Sequence, residues 1–220
     1  MVARKANTPT LTREQIVAAA IAIVDREGLE ALSMRKLAAE LGVGAMSLYY
    51  HVPDKSSLYD LILEAVMSEM DLTGDDPSAS AEARMLSLGY ALRTALLAHP
   101  HAVPIALSRS LHTPGQLRPV EKLLEVMFDL GLTATDAVSA VDVVGQYIFG
   151  TTMAYANYLA DSERPEESKA AERTVGEITP DEFPNLIRAS QEAGFTGWDE
   201  NFDRGLRALV RGVVLDRIQP

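Results

Sequence analysis

The sequence predicts an all-α protein. Apolar residues recur at a spacing of three and four along almost the whole chain, side-chain caps stand at the helix starts, and glycine or proline marks the ends. Strand-like alternation is nearly missing, and no internal repeat is found. With 220 residues the chain is long enough for a full core, as one large domain or a small domain followed by a larger one. It contains no cysteine, which excludes a disulfide framework, a thiolate metal site and a cysteine nucleophile.

The first segment, LTREQIVAAAIAIVDREG, opens with Thr12 as N-cap and Gln15 three residues later, a capping box, with Leu11 and Ile16 placed as a hydrophobic staple. Ile16, Ala20 and Ile23 carry its helical period, and Gly28 ends it. Ser33 caps a second helix, MRKLAAEL, closed by Gly42. The link Gly42, Val43, Gly44 allows only a sharp turn, so a third helix from about Ala45 to His51 leaves steeply and the two form a helix-turn-helix. Val52 and Pro53 stop it; Asp54 caps a fourth helix, KSSLYDLILEAVMSEM. These elements define a helix-turn-helix domain at residues 1–55, a connecting helix at about 54–70 and a second domain at 71–220.

After the break TGDDPSAS, helical periodicity resumes at roughly 80–98, 102–111, 115–130, 134–160, 180–193 and 199–218. The charged stretch between the fourth and fifth of these, 161–178, is expected to be a surface loop, or else a lid over a pocket. From Ala137 to Ala160 the single formal charge is Asp142, so this helix is apolar nearly all round and needs cover on every side. It is too polar for a bilayer, with Gln146, Thr151, Thr152 and Asn157 in its uncharged run, so no membrane partner is expected. The last helix sets Phe202, Leu206, Leu209 and Val213 on one face, and Gly205 and Gly212 leave shallow points where another helix can approach. A homodimer joined by these two helices as a four-helix bundle would cover both; packing within one chain is the alternative.

The formal charge of −11 argues against a polyanionic partner at first sight. Residues 1–55, however, carry seven Lys/Arg against six Asp/Glu, a balance of +1, so the remaining residues carry −12. That asymmetry permits a nucleic-acid surface at the N-terminal end. In a helix-turn-helix the second helix enters the major groove with its N-terminal residues at base edges. Here those are Ala45, Met46 and Ser47, small or unbranched groups that permit close approach, with Leu48 as the inward anchor. Tyr49, Tyr50 and His51 offer polar tips at the far end, and Lys55 adds charge beside the N-terminal amides of the fourth helix, which reads as a phosphate clamp. Tyr50 has a second reading, packed between the first and third helices.

Residues 11–62, above all GLEALSMRKLAAELGV and SLYYHVPDKSSL, closely resemble the DNA-binding domain of the tetracycline-repressor (TetR) family. AHPHAVPIALS, FDLGLTATDAVSAVDVVGQYIFG and FDRGLRALVRGV resemble the ligand-binding and dimerisation domain of its tetracycline-repressor branch. The resemblance implies an all-helical dimer that binds a palindromic operator in double-stranded DNA and releases it when a small molecule enters the C-terminal domain. It also implies DNA contacts from Arg35, Ser47, Tyr49, His51 and Lys55.

Where tetracycline-binding members carry metal-chelating or pocket side chains, this chain has Ala106 or Leu107, Ala154, Asp71 and Gln146, which speaks against a tetracycline–magnesium ligand. The inferred lining, Leu88, Leu92, Leu107, Val120, Leu123, Met127 and Val141, suits an uncharged hydrophobic effector, although helical spacing alone reads each as core. Gln146 and, at a pocket mouth, His112 are its polar members. His99 and His101 lack a third ligand at metal spacing and read as helix-end histidines; Trp198 is expected to pack the turn into the last helix. No cofactor or metal is expected. A helical-bundle enzyme is the remote alternative, for want of a phosphate loop, a serine elbow or metal spacing. With no apolar segment behind the basic start, a cytoplasmic ligand-responsive repressor is expected, with a constitutive or activating regulator as the alternative.

Overall fold

The computed structural model describes residues 11–162, 179–193 and 197–216, and every regular element among them is a helix. In chain order these are α1 (Arg13–Glu27), α2 (Met34–Glu40), α3 (Ala45–His51), α4 (Lys55–Ser68), α5 (Ala81–Ala98), α6 (Val103–Ser108), α7 (Pro114–Asp129), α8 (Ala134–Ser162), α9 (Pro184–Glu192) and α10 (Trp198–Asp216). Single 3₁₀ turns stand at Leu29–Ala31 and Pro100–Ala102. Most of the 161–178 stretch, and with it the loop-or-lid reading, lies outside the described residues. No described helix is long and apolar enough to cross a membrane.

Packing divides the chain into two compact units, one running to Asp71 and including Thr94–Glu121, the other comprising Leu72–Arg93 and the chain from Lys122 onward. The segment 94–121, which the sequence assigns to the second domain, therefore packs with the first. Polar ties account for this. The Arg109 guanidinium pairs with Asp60 on α4 and donates to Ser56 Oγ at 2.9 Å. The fully buried Gln116 donates to the Asp60 carbonyl at 3.0 Å. His99 bridges Asp25 of α1, at 2.8 Å, and Glu69 at the end of α4, at 3.1 Å. Burial alone would lower the His99 pKa, but the two carboxylates outweigh it and leave the pKa raised.

In the second unit the segment read as a simple break is anchored. Arg84 of α5, almost wholly buried, donates to Asp75 at 2.7 and 2.9 Å, Glu125 at 2.8 Å and Asp129 at 3.0 Å. The hydrogen bonds from Arg84 hold the Asp75 carboxyl below the usual carboxylate range, against the opposing effect of burial. α8 and α10 pack on each other, and Gly89 of α5 fits against Leu206 and Ile148, where a Cβ would stand 2.8 Å from a Leu206 methyl. Gly205 is closed by Tyr147 of the same chain, whose hydroxyl donates to the carbonyls of Asn201 and Phe202. The approach of another helix at Gly205 is thus an internal one, because a tyrosine ring fills the space the missing side chain leaves. An added Cβ at Gly212, Gly145 or Gly150 would meet nothing within 4 Å.

Candidate functional site

The reading head is built from its caps inward. Thr12 Oγ1 accepts from the Gln15 N–H at 3.3 Å and the Gln15 side chain accepts from the Thr12 N–H at 3.0 Å, the reciprocal box that starts α1. Ile16, Ala20, Ile23 and Val24 on α1 are fully buried with Leu37 of α2 and Leu48 of α3. Ser33 Oγ accepts from the Lys36 N–H, and Arg26 and Lys36 tie α1 to α2 through Glu40 and Glu27. Between α2 and α3 the chain turns at Gly42, whose φ of 65° is a left-handed conformation that costs other residues more. Leu48 and Val52 pin α3 by its inner side. Asp54 then accepts from the Ser57 N–H at 2.7 Å and starts α4, and that backbone bond chiefly holds its carboxyl below the ordinary range.

With Leu48 inward, the rest of α3 is turned out. Met46 is 81% exposed, Tyr49 44% and Tyr50 88%; Ala45 and Ser47 are exposed as well. Tyr50 therefore does not pack between α1 and α3, since its position two residues past Leu48 points it away from the head's core. Its ring meets the His51 ring edge to face at 5.3 Å. His51 is half-buried, and its carbonyl accepts from Arg13 of α1 at 3.5 Å, a tie between the start of α1 and the end of α3 that sequence reading missed. Arg35 is exposed on α2. Lys55, half-buried in the first turn of α4, stands 5.3 Å from the Tyr59 ring.

The inferred effector residues divide between the units. Leu88, Leu92 and Met127 are buried, and Leu123 and Val141 half-buried, in the second; Gln146, also there, is exposed. Val120 is half-buried in the first unit, with Leu107 and His112 exposed. The backbone N–H of His112 donates to Gln116. Within the second unit, α8 and α10 frame a groove of about 580 Å³ lined in part by Ala140, Val143, Ala208, Leu209, Gly212 and Val213. Val138 and Val143 on α8 and Leu215 on α10 are exposed. No residue of α9 is buried. Trp198, in the first turn of α10, meets the Tyr155 and Tyr158 rings of α8 at 5.6 and 5.4 Å. Among the described residues no group of three or more side chains is placed to hold a metal ion.

A capped three-helix head with an outward-facing second helix of a helix-turn-helix, followed by a larger helical region, defines a DNA-binding transcriptional regulator. Comparison with known proteins narrows the class. Residues 16–62 match the family model described as "Bacterial regulatory proteins, tetR family", and residues 73–215 match "Tetracyclin repressor-like, C-terminal domain". The chain belongs to the TetR family. It is 33% identical over 206 residues to an HTH-type transcriptional regulator of Saccharopolyspora erythraea, across 94% of this chain and 86% of that one. It is 29% identical to the class A tetracycline repressor from transposon 1721 of Escherichia coli, across 92% and 90%. The crystal structure of the TetR family protein ActR of Streptomyces coelicolor in complex with actinorhodin superposes with a TM-score of 0.80 at 27% identity, covering 95% of this chain and 97% of that one.

Proposed function

We propose that the protein is a homodimeric repressor that binds a palindromic operator through α3 and releases it when a hydrophobic small molecule binds its C-terminal domain. The observation that carries the first half is the exposed side of α3, where Ala45, Met46 and Ser47 stand at the helix start and Tyr49 and Tyr50 follow, with half-buried His51 at its end and half-buried Lys55 in the first turn of α4. The division of labour follows from position: the start of the helix reads base edges, while Arg35, the tyrosines, His51 and Lys55 hold phosphates. The dimer is supported by the exposed apolar residues of α8 and α10, by the groove they frame and by an α9 without a buried residue. A second copy related by a two-fold axis would cover such surface.

The effector reading rests on residues of the second unit: Leu88, Leu92 and Met127, which are buried, with half-buried Leu123 and Val141 as further lining and Gln146 as hydrogen-bonding partner. That the related ActR was crystallised with actinorhodin supports a small-molecule effector of some kind here. Such a molecule must bind the DNA-free arrangement more tightly than the DNA-bound one, because equal affinity for both shifts nothing.

The test is an anisotropy titration of an inverted-repeat duplex with half-sites about one helical turn apart, ~34 Å. Candidate hydrophobic compounds are then added with and without EDTA. Release that needs no divalent metal and is lost in Gln146→Leu and Leu123→Trp is the expected result. Release that requires magnesium, or persists in both variants, overturns the effector assignment.

A further inference from the structure

We propose that the second unit carries a separate binding site for a small planar aromatic anion, centred on Arg93. Arg93 lies on α5, and its side chain is only 13% exposed. Its guanidinium stands 4.4 Å from the Phe202 ring and 5.6 Å from the Tyr155 ring. Among the described residues one carboxylate answers its charge: Asp199 Oδ1 accepts at 2.7 Å, and that side chain is 82% in solvent. The Arg93 Nε–H is buried and finds no hydrogen-bond partner among the described residues. A guanidinium offers five N–H donors, and withdrawing them from water without acceptors is costly.

Beside this cation lies a cavity of about 200 Å³ walled by Tyr147 and Thr151 of α8 and by Trp198, Asn201 and Phe202 of α10. The Tyr147 and Phe202 rings stack at 5.8 Å. The walls offer flat apolar faces, the floor offers a nearly desolvated cation, and the volume holds one ring with a carboxylate. The neighbouring acids do not defeat an anion. Asp203 is engaged by Arg207 at 2.8 Å and by the Tyr90 hydroxyl, and Glu200 pairs with Arg204. Asp199 is the group an incoming carboxylate would displace, exchanging a solvent-exposed acceptor for one held between rings. An arginine matches such a group in a two-pronged geometry that a neutral amide cannot copy.

The site is distinct from the proposed effector lining. Adjacent residues on a helix point about 100° apart, so Arg93 faces a different direction from Leu92. It shares helices α8 and α10 with the proposed dimer surface but none of the residues that line the groove there.

Trp198 is the single tryptophan of the chain and lines the cavity, so its fluorescence reports occupancy directly. The full-length protein is titrated with benzoate and, in parallel, with the uncharged isostere benzamide. A saturable change with benzoate, with benzamide weaker by at least about tenfold, is expected from a charge-assisted pair in a largely desolvated site. In Arg93→Met, checked for unchanged helix content, the preference for benzoate should vanish, and in Arg93→Lys it should return in part. Absence of a saturable signal, or equal affinity for the two compounds in the unaltered protein, overturns the proposal without recourse to any variant. So does a benzoate preference that survives Arg93→Met.

Discussion

The reading head and the α8–α10 pair both leave large side chains in solvent, and the kinds they leave differ. The head exposes Tyr49, Tyr50 and Met46 on a seven-residue helix whose inner side is sealed by Leu48. What it shows to water has mostly polar tips or lies close to backbone. The pair exposes Val138, Val143 and Leu215 along two long helices, and these are aliphatic with nothing polar to offer. Exposed groups with polar ends suit a polar, charged partner; exposed aliphatic groups beside a long groove suit another apolar helix surface.

The comparison breaks first if the head is not a self-contained core. Leu48→Ala removes its central fully buried anchor, and denaturant unfolding should show a loss of about 2–5 kcal/mol, with operator binding falling in step. A loss below about 0.5 kcal/mol would mean that α3 is held by something other than Leu48.

Next come the two glycines of α10. Gly205→Leu must displace Tyr147 and should destabilise the chain by about 1–3 kcal/mol. Gly212→Leu meets open space within one chain, so its stability as a monomer should hold while light scattering shows the dimer weakened. Equal effects of both on stability, with no change in assembly, would return the α8–α10 surface to ordinary solvent exposure.

A smaller effect separates positioning from reading in the head. Lys55→Ala should weaken binding to all duplexes alike and flatten the salt slope by roughly one unit, whereas Ser47→Ala should change base preference. The reverse pattern would exchange the two roles.

The smallest concerns His99. Its pKa is raised in the folded state, so its ties to Asp25 and Glu69 contribute stability fully below the unfolded value of 6.5 and lose that contribution as pH rises through the folded value. His99→Gln should therefore cost stability at pH 5.5 and little at pH 9, read from paired denaturation curves. A constant difference across that range would assign His99 to packing alone.

Much of this was legible beforehand because it is local. Capping residues, the apolar period and a glycine in a left-handed turn each act within four or five positions, which is why α1 to α4 and the outward start of α3 could be read in order. Tyr50 was ambiguous for a related reason: it stands two residues from Leu48 on a very short helix, and only the orientation of that helix on α1 settles which of its sides is outside. The anchoring of the 72–80 segment was not legible. Asp75 and Arg84 are nine residues apart, and their partners Glu125 and Asp129 come from α7, so the cluster exists only once two distant helices meet.

By itself the sequence determined where α1 to α4 begin, the turn between α2 and α3, and the family signature of the head, since each depends on neighbouring side chains and backbone conformation. Tertiary structure alone decided that segment 94–121 packs with the head, that Tyr147 fills the notch at Gly205, and that Arg93 is left nearly buried beside two rings. These depend on which helix faces meet, and long-range contacts between residues tens of positions apart leave no periodic trace in the chain.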